Sequence, residues 1–160
     1  MALVVVLAGL AAAVANPTRG DEVPRCASGD FSPQPGVAPA RAGQVVLRLS
    51  SVRGERDVTW ILTTRNRTTH AVGLIFPSSP YADVVLRRRG RAVYAWSEGR
   101  GVYPAFWYRT LAAGETYTCS LAPDTLDFDS LQSGRYHLIG FLNTYQLSVQ
   151  SDRTFTITDG

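Results

Sequence analysis

From Gln44 onward, apolar side chains recur at every second position in short stretches, and turn-forming residues separate the stretches. In QVVLRLS, Val45, Leu47 and Leu49 share one side; in DVTWILTT, Val58, Trp60 and Leu62 do the same and leave Thr59, Thr63 and Arg65 opposite. A period of two is that of a β-strand with one buried face. Similar stretches follow in AVGLIF, YADVVLR, AVYAW, ETYTCSL, RYHLIGFLN, YQLSV and RTFTI. No segment longer than about ten residues carries the 3.6-residue apolar period, so helix is confined to single turns. About eight or nine short strands at this spacing predict an all-β antiparallel sandwich or barrel over residues 44–160.

Upstream of Gln44 the texture is different. Ala2 to Ala15 is an apolar run ending in Ala13-Val14-Ala15, the small-x-small pattern read by signal peptidase. Residues 1–15 are therefore expected to be an export signal cleaved after Ala15, and the run falls short of the roughly 20 apolar residues that span a bilayer. The other reading is a retained membrane anchor. Residues 16–43 hold Pro17, Pro24, Pro33, Pro35 and Pro39 with no periodicity, as expected of a linker or a loosely packed strap.

The chain has 160 residues, 45% hydrophobic and 18% charged, which suits one folded domain with its own core. All 16 basic residues are arginine, and this excludes Schiff-base and lysine-dependent phosphate chemistry. The net charge is only +3 and the arginines are spread from Arg19 to Arg153, so no nucleic-acid footprint is expected. The densest group, Arg87-Arg88-Arg89-Gly90-Arg91, falls between VVL and AVYAW, where a hairpin reverses; Gly90 supplies a positive-φ position and the arginines are expected in solvent. In an exported chain, Cys26 and Cys119 invite a disulfide; the alternative is a core thiol at Cys119, in phase with Tyr117 and Leu121, and an unpaired Cys26.

The hairpin belongs to a larger pattern. Asn66, Phe76, Tyr81 with Asp83, Gly90, Trp96 with Ser97, Leu111 with Gly114 and Glu115, and Gly134 with Tyr136 occur in an order that resembles the BsuPI-type intracellular proteinase inhibitor domain family. The resemblance covers roughly residues 58–142. Its glycine turns and core-sealing aromatics also recur in immunoglobulin-like sandwiches, so the expected fold is an immunoglobulin-like antiparallel β-sandwich. The resemblance implies binding to a proteinase. Its namesake acts inside the cell, whereas the apolar leader of this chain points to an extracytoplasmic place: periplasm, cell envelope or medium.

Residues able to do chemistry are sparse. His70 and His137 are the two histidines, on a turn and a strand, and no cluster of metal-ligand spacing accompanies them. Asp124, Asp127 and Asp129 lack the spacing and glycine of a calcium loop and read as a solvated segment. Cys119 with His137 would make a nucleophile and base, but no third group is evident and no glycine-x-serine-x-glycine elbow occurs. No enzyme activity, metal or cofactor is expected. Asn66-Arg67-Thr68 fits a glycosylation acceptor pattern, but such short matches arise often by chance and the export signal is bacterial in style. The aromatic stretch Tyr103, Phe106, Trp107 and Tyr108 is the candidate interaction surface, with alternation sending Phe106 and Tyr108 to one face and Trp107 to the other. Two functions stand: an exported, non-catalytic protein-binding module, a proteinase inhibitor by resemblance, or a carbohydrate or small-ligand module that uses these aromatics as a stacking platform. A membrane is a partner only if the N-terminal segment is retained.

Overall fold

The computed structural model describes residues 5–6, 23–26, 35–53, 58–77, 80–102, 106–145 and 148–157. Among these residues ten strands form: β1 (Val5–Val6), β2 (Val45–Arg53), β3 (Val58–Asn66), β4 (Val72–Phe76), β5 (Ala82–Arg88), β6 (Arg91–Ala95), β7 (Trp107–Leu111), β8 (Thr116–Leu121), β9 (Gly134–Leu142) and β10 (Val149–Ile157). One sheet runs β1-β10-β9-β5-β6, a second β2-β3-β8, and β4 pairs with β7. Every strand pair is antiparallel. The all-β antiparallel sandwich expected from the alternation is the fold, and among the described residues the helical content is a single 3-10 turn at Phe128–Ser130.

The alternating positions fill the core as the pattern required. Val45, Leu47 and Leu49 of β2, Trp60 and Leu62 of β3, and Leu138 and Leu142 of β9 are all buried. At Gly140 on β9 the two main sheets are in contact: a Cβ there would lie 3.0 Å from Leu62 Cδ2 and 3.3 Å from Leu49 Cδ1. The absent Cβ leaves room for the methyl groups of Leu62 and Leu49 to pack against the β9 backbone. Tyr136 donates its hydroxyl to the carbonyl of Gln132 at 2.7 Å, four residues upstream. This tyrosine corner at the start of a strand is a feature of immunoglobulin-like sandwiches.

The hairpin turns at Arg89 (φ 51°) and Gly90 (φ 80°), both left-handed, the conformation of a tight reversal with the twist of the flanking strands. Between Leu86 and Arg87 the register slips: Leu86 pairs with Tyr94 and Arg87 with Ala92, leaving Val93 as a bulge. The expectation of solvated arginines holds for Arg87, Arg89 and Arg91 but not for Arg88. Its guanidinium donates to the Gln132 side chain and the Ser133 carbonyl and lies 5.7 Å from the centre of the Tyr136 ring. That charge staples the hairpin to the tyrosine corner.

Two boundaries differ from the sequence expectation. Of YQLSV, Tyr145 lies in the β9–β10 loop and Val149 opens a strand continuous with RTFTI, while Gln146 and Leu147 lie outside the described residues. Trp107–Leu111 is a strand in which only Leu111 is fully buried, so its pattern shows no alternation. The proline-rich segment does pair. Cys26 N–H donates to Ser120 O at 2.9 Å and Ser120 N–H to Pro24 O at 2.8 Å, laying residues 24–26 parallel to β8. Residues 38–40 run likewise beside Gly73 of β4. Within the expected leader, Val5 and Val6 lie beside Ile157 and Thr156 of β10.

Candidate functional site

Asp83, Trp96 and Ser97 come together at one end of the sandwich. Asp83 is buried on β5, and its Oδ1 accepts the backbone N–H of Val84 at 2.7 Å and of Ser97 at 3.0 Å. Its Oδ2 accepts the Ser97 hydroxyl at 2.5 Å. Three donors thus replace the water that the buried carboxylate has lost. Trp96 N–H donates to Val84 O, and its indole Nε1–H to Ala122 O at 2.9 Å. Arg100 caps the indole with its guanidinium 4.0 Å from the ring centre, donates to Trp96 O and pairs with Asp124 at 3.0 Å. The segment that leaves β6 is therefore bolted to β5 on one side and to the β8–β9 connection on the other.

Beyond this clamp, three connections converge. Asn143 N–H and side-chain amide donate to Tyr81 O at 2.8 Å and Pro80 O at 2.9 Å, and Tyr145 N–H donates to Ile75 O at 2.8 Å. These bonds hold the β4–β5 and β9–β10 loops together. Phe106, just ahead of β7, meets Tyr145 edge-on with ring centres 6.3 Å apart at 80°. Phe106 is 62% exposed and Tyr145 73%, with Val102 exposed on the β6–β7 loop. The base of this end is fixed by Tyr81, whose ring packs on Phe76 at 5.3 Å and whose hydroxyl bonds that of Tyr117 at 2.9 Å. Burial, and then the Tyr117 hydroxyl, push the Tyr81 phenol well above its ordinary value.

The other sequence-selected residues form two braces. Asn66, fully buried, shares its amide protons among the carbonyls of His70, Leu111 and Ala112, while its Oδ1 accepts from Thr68 N–H and hydroxyl. An amide so enclosed is a structural hub rather than a glycosylation acceptor. Gly114 turns with φ 69°, and Glu115 accepts the Ala112 N–H at 2.6 Å and lies 3.8 Å from Arg109. Arg109 in turn stacks 3.5 Å from the Tyr117 ring centre. Gly134 and Tyr136 make the corner that receives Arg88.

Residues 45–147 match the sequence profile of the family described as BsuPI, intracellular proteinase inhibitor. The chain belongs to the BsuPI family. No curated protein matches the sequence. Among solved structures the BsuPI chain is similar to part of DesR, a β-glucosidase from Streptomyces venezuelae, at 15% identity and a TM-score of 0.34, over 71% of this chain and 15% of that one. It therefore spans only a small part of that enzyme's length.

In this BsuPI domain the family's pattern residues are framework: Phe76, Tyr81, Asp83, Trp96, Ser97 and Tyr136 fix strands and loop roots. The exposed aromatics sit on the loops that this framework aims. Of the four aromatics selected from sequence, Phe106 is exposed, Trp107 and Tyr108 are half-buried on β7 with Trp107 packed on the core, and Tyr103 lies outside the described residues. Phe106 immediately precedes the strand, which opens at Trp107. Tyr145 and Val102 were not selected from sequence. The only signal was an aromatic in a polar loop, which the alternation of YQLSV disguised as a strand.

Cys26 and Cys119 form a disulfide, their Cα atoms 4.8 Å apart. Cys119 is thus no nucleophile for His137, whose Nδ1 lies 3.4 Å from the Thr154 hydroxyl. Among the described residues no three His, Cys, Asp or Glu side chains gather where a metal would sit. Asp127 caps the 3-10 turn through the Asp129 N–H, and Asp124 pairs with Arg100.

Proposed function

We propose that this BsuPI domain is an exported, non-catalytic protein-binding module that inhibits a proteinase through the loop end bearing Phe106 and Tyr145. The observation that carries the reading is this exposed aromatic pair on two connections, rooted in the Asp83–Ser97 clamp and the Asn143 bonds. Rigid aromatics cover much area with few torsions to freeze, which suits a surface that must bind without reorganising. Family membership supports a proteinase as the partner. The disulfide supports an oxidising compartment and so an extracytoplasmic place, consistent with the leader-like residues 1–15. A sugar platform is less well served, because the two rings meet at 80° instead of offering one plane.

Titration of extracytoplasmic serine proteinases with the purified domain tests the proposal. The expected result is a stoichiometric fall in activity that Phe106→Ala with Tyr145→Ala weakens by about tenfold or more, with the melting temperature kept. Undiminished activity across such a panel would sink the inhibitory role, and binding to a glycan array abolished by Trp107→Ala would replace it with the carbohydrate reading.

A further inference from the structure

The outer face of the β2-β3-β8 sheet holds a cleft of about 610 Å³ lined by Arg48, Arg65, Arg67, Thr63, Thr68 and Thr116 among others. It lies on a different face from the loop end bearing Phe106 and Tyr145, and nothing in the proposed inhibitory role depends on it. No carboxylate lines it. Among the described residues, ion pairs join Arg100 to Asp124 and Arg109 to Glu115, and the arginines of the cleft take part in neither. All three are exposed, and among the described residues no side chain shares a hydrogen bond with their guanidinium groups. Like charges gathered without counter-charges repel one another, and a ligand that supplies the missing anions relieves this.

Strand register explains how they gather. Arg65 pairs with Val46 and Thr116, and Arg48 with Thr63 and so beside Thr118, which sets their side chains on the outward face. Arg67 continues the alternation of Thr63 and Arg65 beyond the strand, because its N–H bonds Gln44 O at 2.8 Å and Asn66 is buried beneath it. Thr63, Arg65 and Arg67 therefore stand on one side at successive two-residue steps, each about 7 Å.

We infer that this cleft binds an acidic peptide segment in extended conformation. An extended chain presents side chains on one side at the same step of about 7 Å, so carboxylates two residues apart meet successive arginines. The arginine fork matches a carboxylate edge through paired N–H donors, and threonine hydroxyls complete the set. The backbone amides here are engaged in the β2-β3-β8 ladders, so the cleft lacks the converging main-chain N–H groups that build a compact phosphate nest. No aromatic side chain lines it, so it offers no platform for nucleobases or sugar rings.

Hexaglutamate is the probe, with hexaglutamine as control, followed by amide chemical shifts in the intact disulfide-bonded protein. The expected shifts centre on residues 63–67 and Thr116, weaken as salt rises, and are absent with hexaglutamine. Arg65→Gln is expected to weaken binding by about tenfold, and Arg48→Gln with Arg65→Gln and Arg67→Gln to abolish it. A hairpin variant of equal charge change, Arg87→Gln with Arg89→Gln and Arg91→Gln, is expected to keep it. No binding, shifts centred elsewhere, or equal loss in the hairpin variant overturns the inference. Inorganic phosphate or a sulfated oligosaccharide shifting these amides while hexaglutamate is silent overturns the peptide assignment too. The mapping uses the unaltered protein, so a variant that misfolds does not decide it, and the proteinase titration reads the inhibitory role separately.

Discussion

The Asp83 carboxylate accepts both the backbone N–H of Ser97, at 3.0 Å, and its hydroxyl, at 2.5 Å, joining residues fourteen apart in sequence across β5 and the exit of β6. A third donor, the Val84 N–H, completes the set. Asp83→Asn keeps the shape but removes the charge and turns an amide N–H toward existing donors. We expect a loss of about 2–4 kcal/mol in denaturant unfolding, and about 1–2 kcal/mol for Ser97→Ala, which removes one bond. If the proposed inhibitory role holds, proteinase inhibition should weaken in both, since the β6–β7 loop loses its root; an Asp83→Asn protein as stable as the parent would remove the clamp from the account.

How far this was readable depends on what each residue's neighbours contrast with. Strands β2 and β3 bury one face only, so Val45, Leu47, Leu49, Trp60 and Leu62 announce them. β5 was legible as a strand, but Asp83 sits between buried Ala82 and Val84 with both faces covered, and its partner Ser97 lies in the turn beyond the end of β6. In β7, Trp107 to Thr110 are all half-buried, and no period exists to be read. Arg88 looked like its neighbours in the arginine run, yet Gln132, Ser133 and Tyr136, some 44 positions on, single it out. The candidate site suffers most from this: Phe106 was visible as an aromatic, whereas its meeting with Tyr145 depends on how two loops close.

The disulfide closes a loop of 93 residues in sequence separation and anchors the strand of strap beside β8. Loop-closure entropy alone allows about 4–5 kcal/mol in the chain-entropy model. Cys26→Ser with Cys119→Ala should therefore lose about 2–5 kcal/mol, and amide exchange at Ser120, whose N–H is held by Pro24 O, should speed up. Unchanged exchange at Ser120 in that variant would show that the strap holds without its covalent tie.

At the hairpin, Arg89 adopts φ 51° with a side chain attached, next to Gly90. Left-handed backbone disfavours most L-residues and is tolerated best by glycine and asparagine. Arg89→Asn is expected to raise stability by about 0.5–1 kcal/mol, and Gly90→Val to lower it by about 1–2 kcal/mol. Thermal melts of the two variants moving in the same direction would contradict the turn geometry.

Where the sheets touch, Gly140→Ala inserts a methyl 3.0 Å from Leu62 and 3.3 Å from Leu49, both fully buried. The leucines must shift, and overpacking at such a site costs about 1–3 kcal/mol. Leu62→Val in the same chain makes room, so the double variant should recover part of the loss. A strictly additive pair would place Gly140 away from the sheet contact.

The tyrosines govern the alkaline limit of the fold. The chain has no lysine, its cysteines are paired, and arginine keeps its proton, so tyrosine is the side chain that titrates near pH 10. Burial and the Tyr117 hydroxyl raise Tyr81, and burial raises Tyr94, so in both the folded state holds its proton after the unfolded chain has released its own. More protons bound in the native state means that stability falls as pH rises. The contribution is intact below the ordinary value of 10.0 and is lost above it, for Tyr81 by up to about 1.4 kcal/mol per pH unit. Tyr81→Phe gives up the bond to Tyr117 and should cost about 1 kcal/mol at pH 7, yet make the decline above pH 10 shallower. Denaturant melts from pH 8 to about 11.5 read both effects, and an unchanged slope in Tyr81→Phe would show that Tyr81 is ionised in the folded protein as readily as in the unfolded chain.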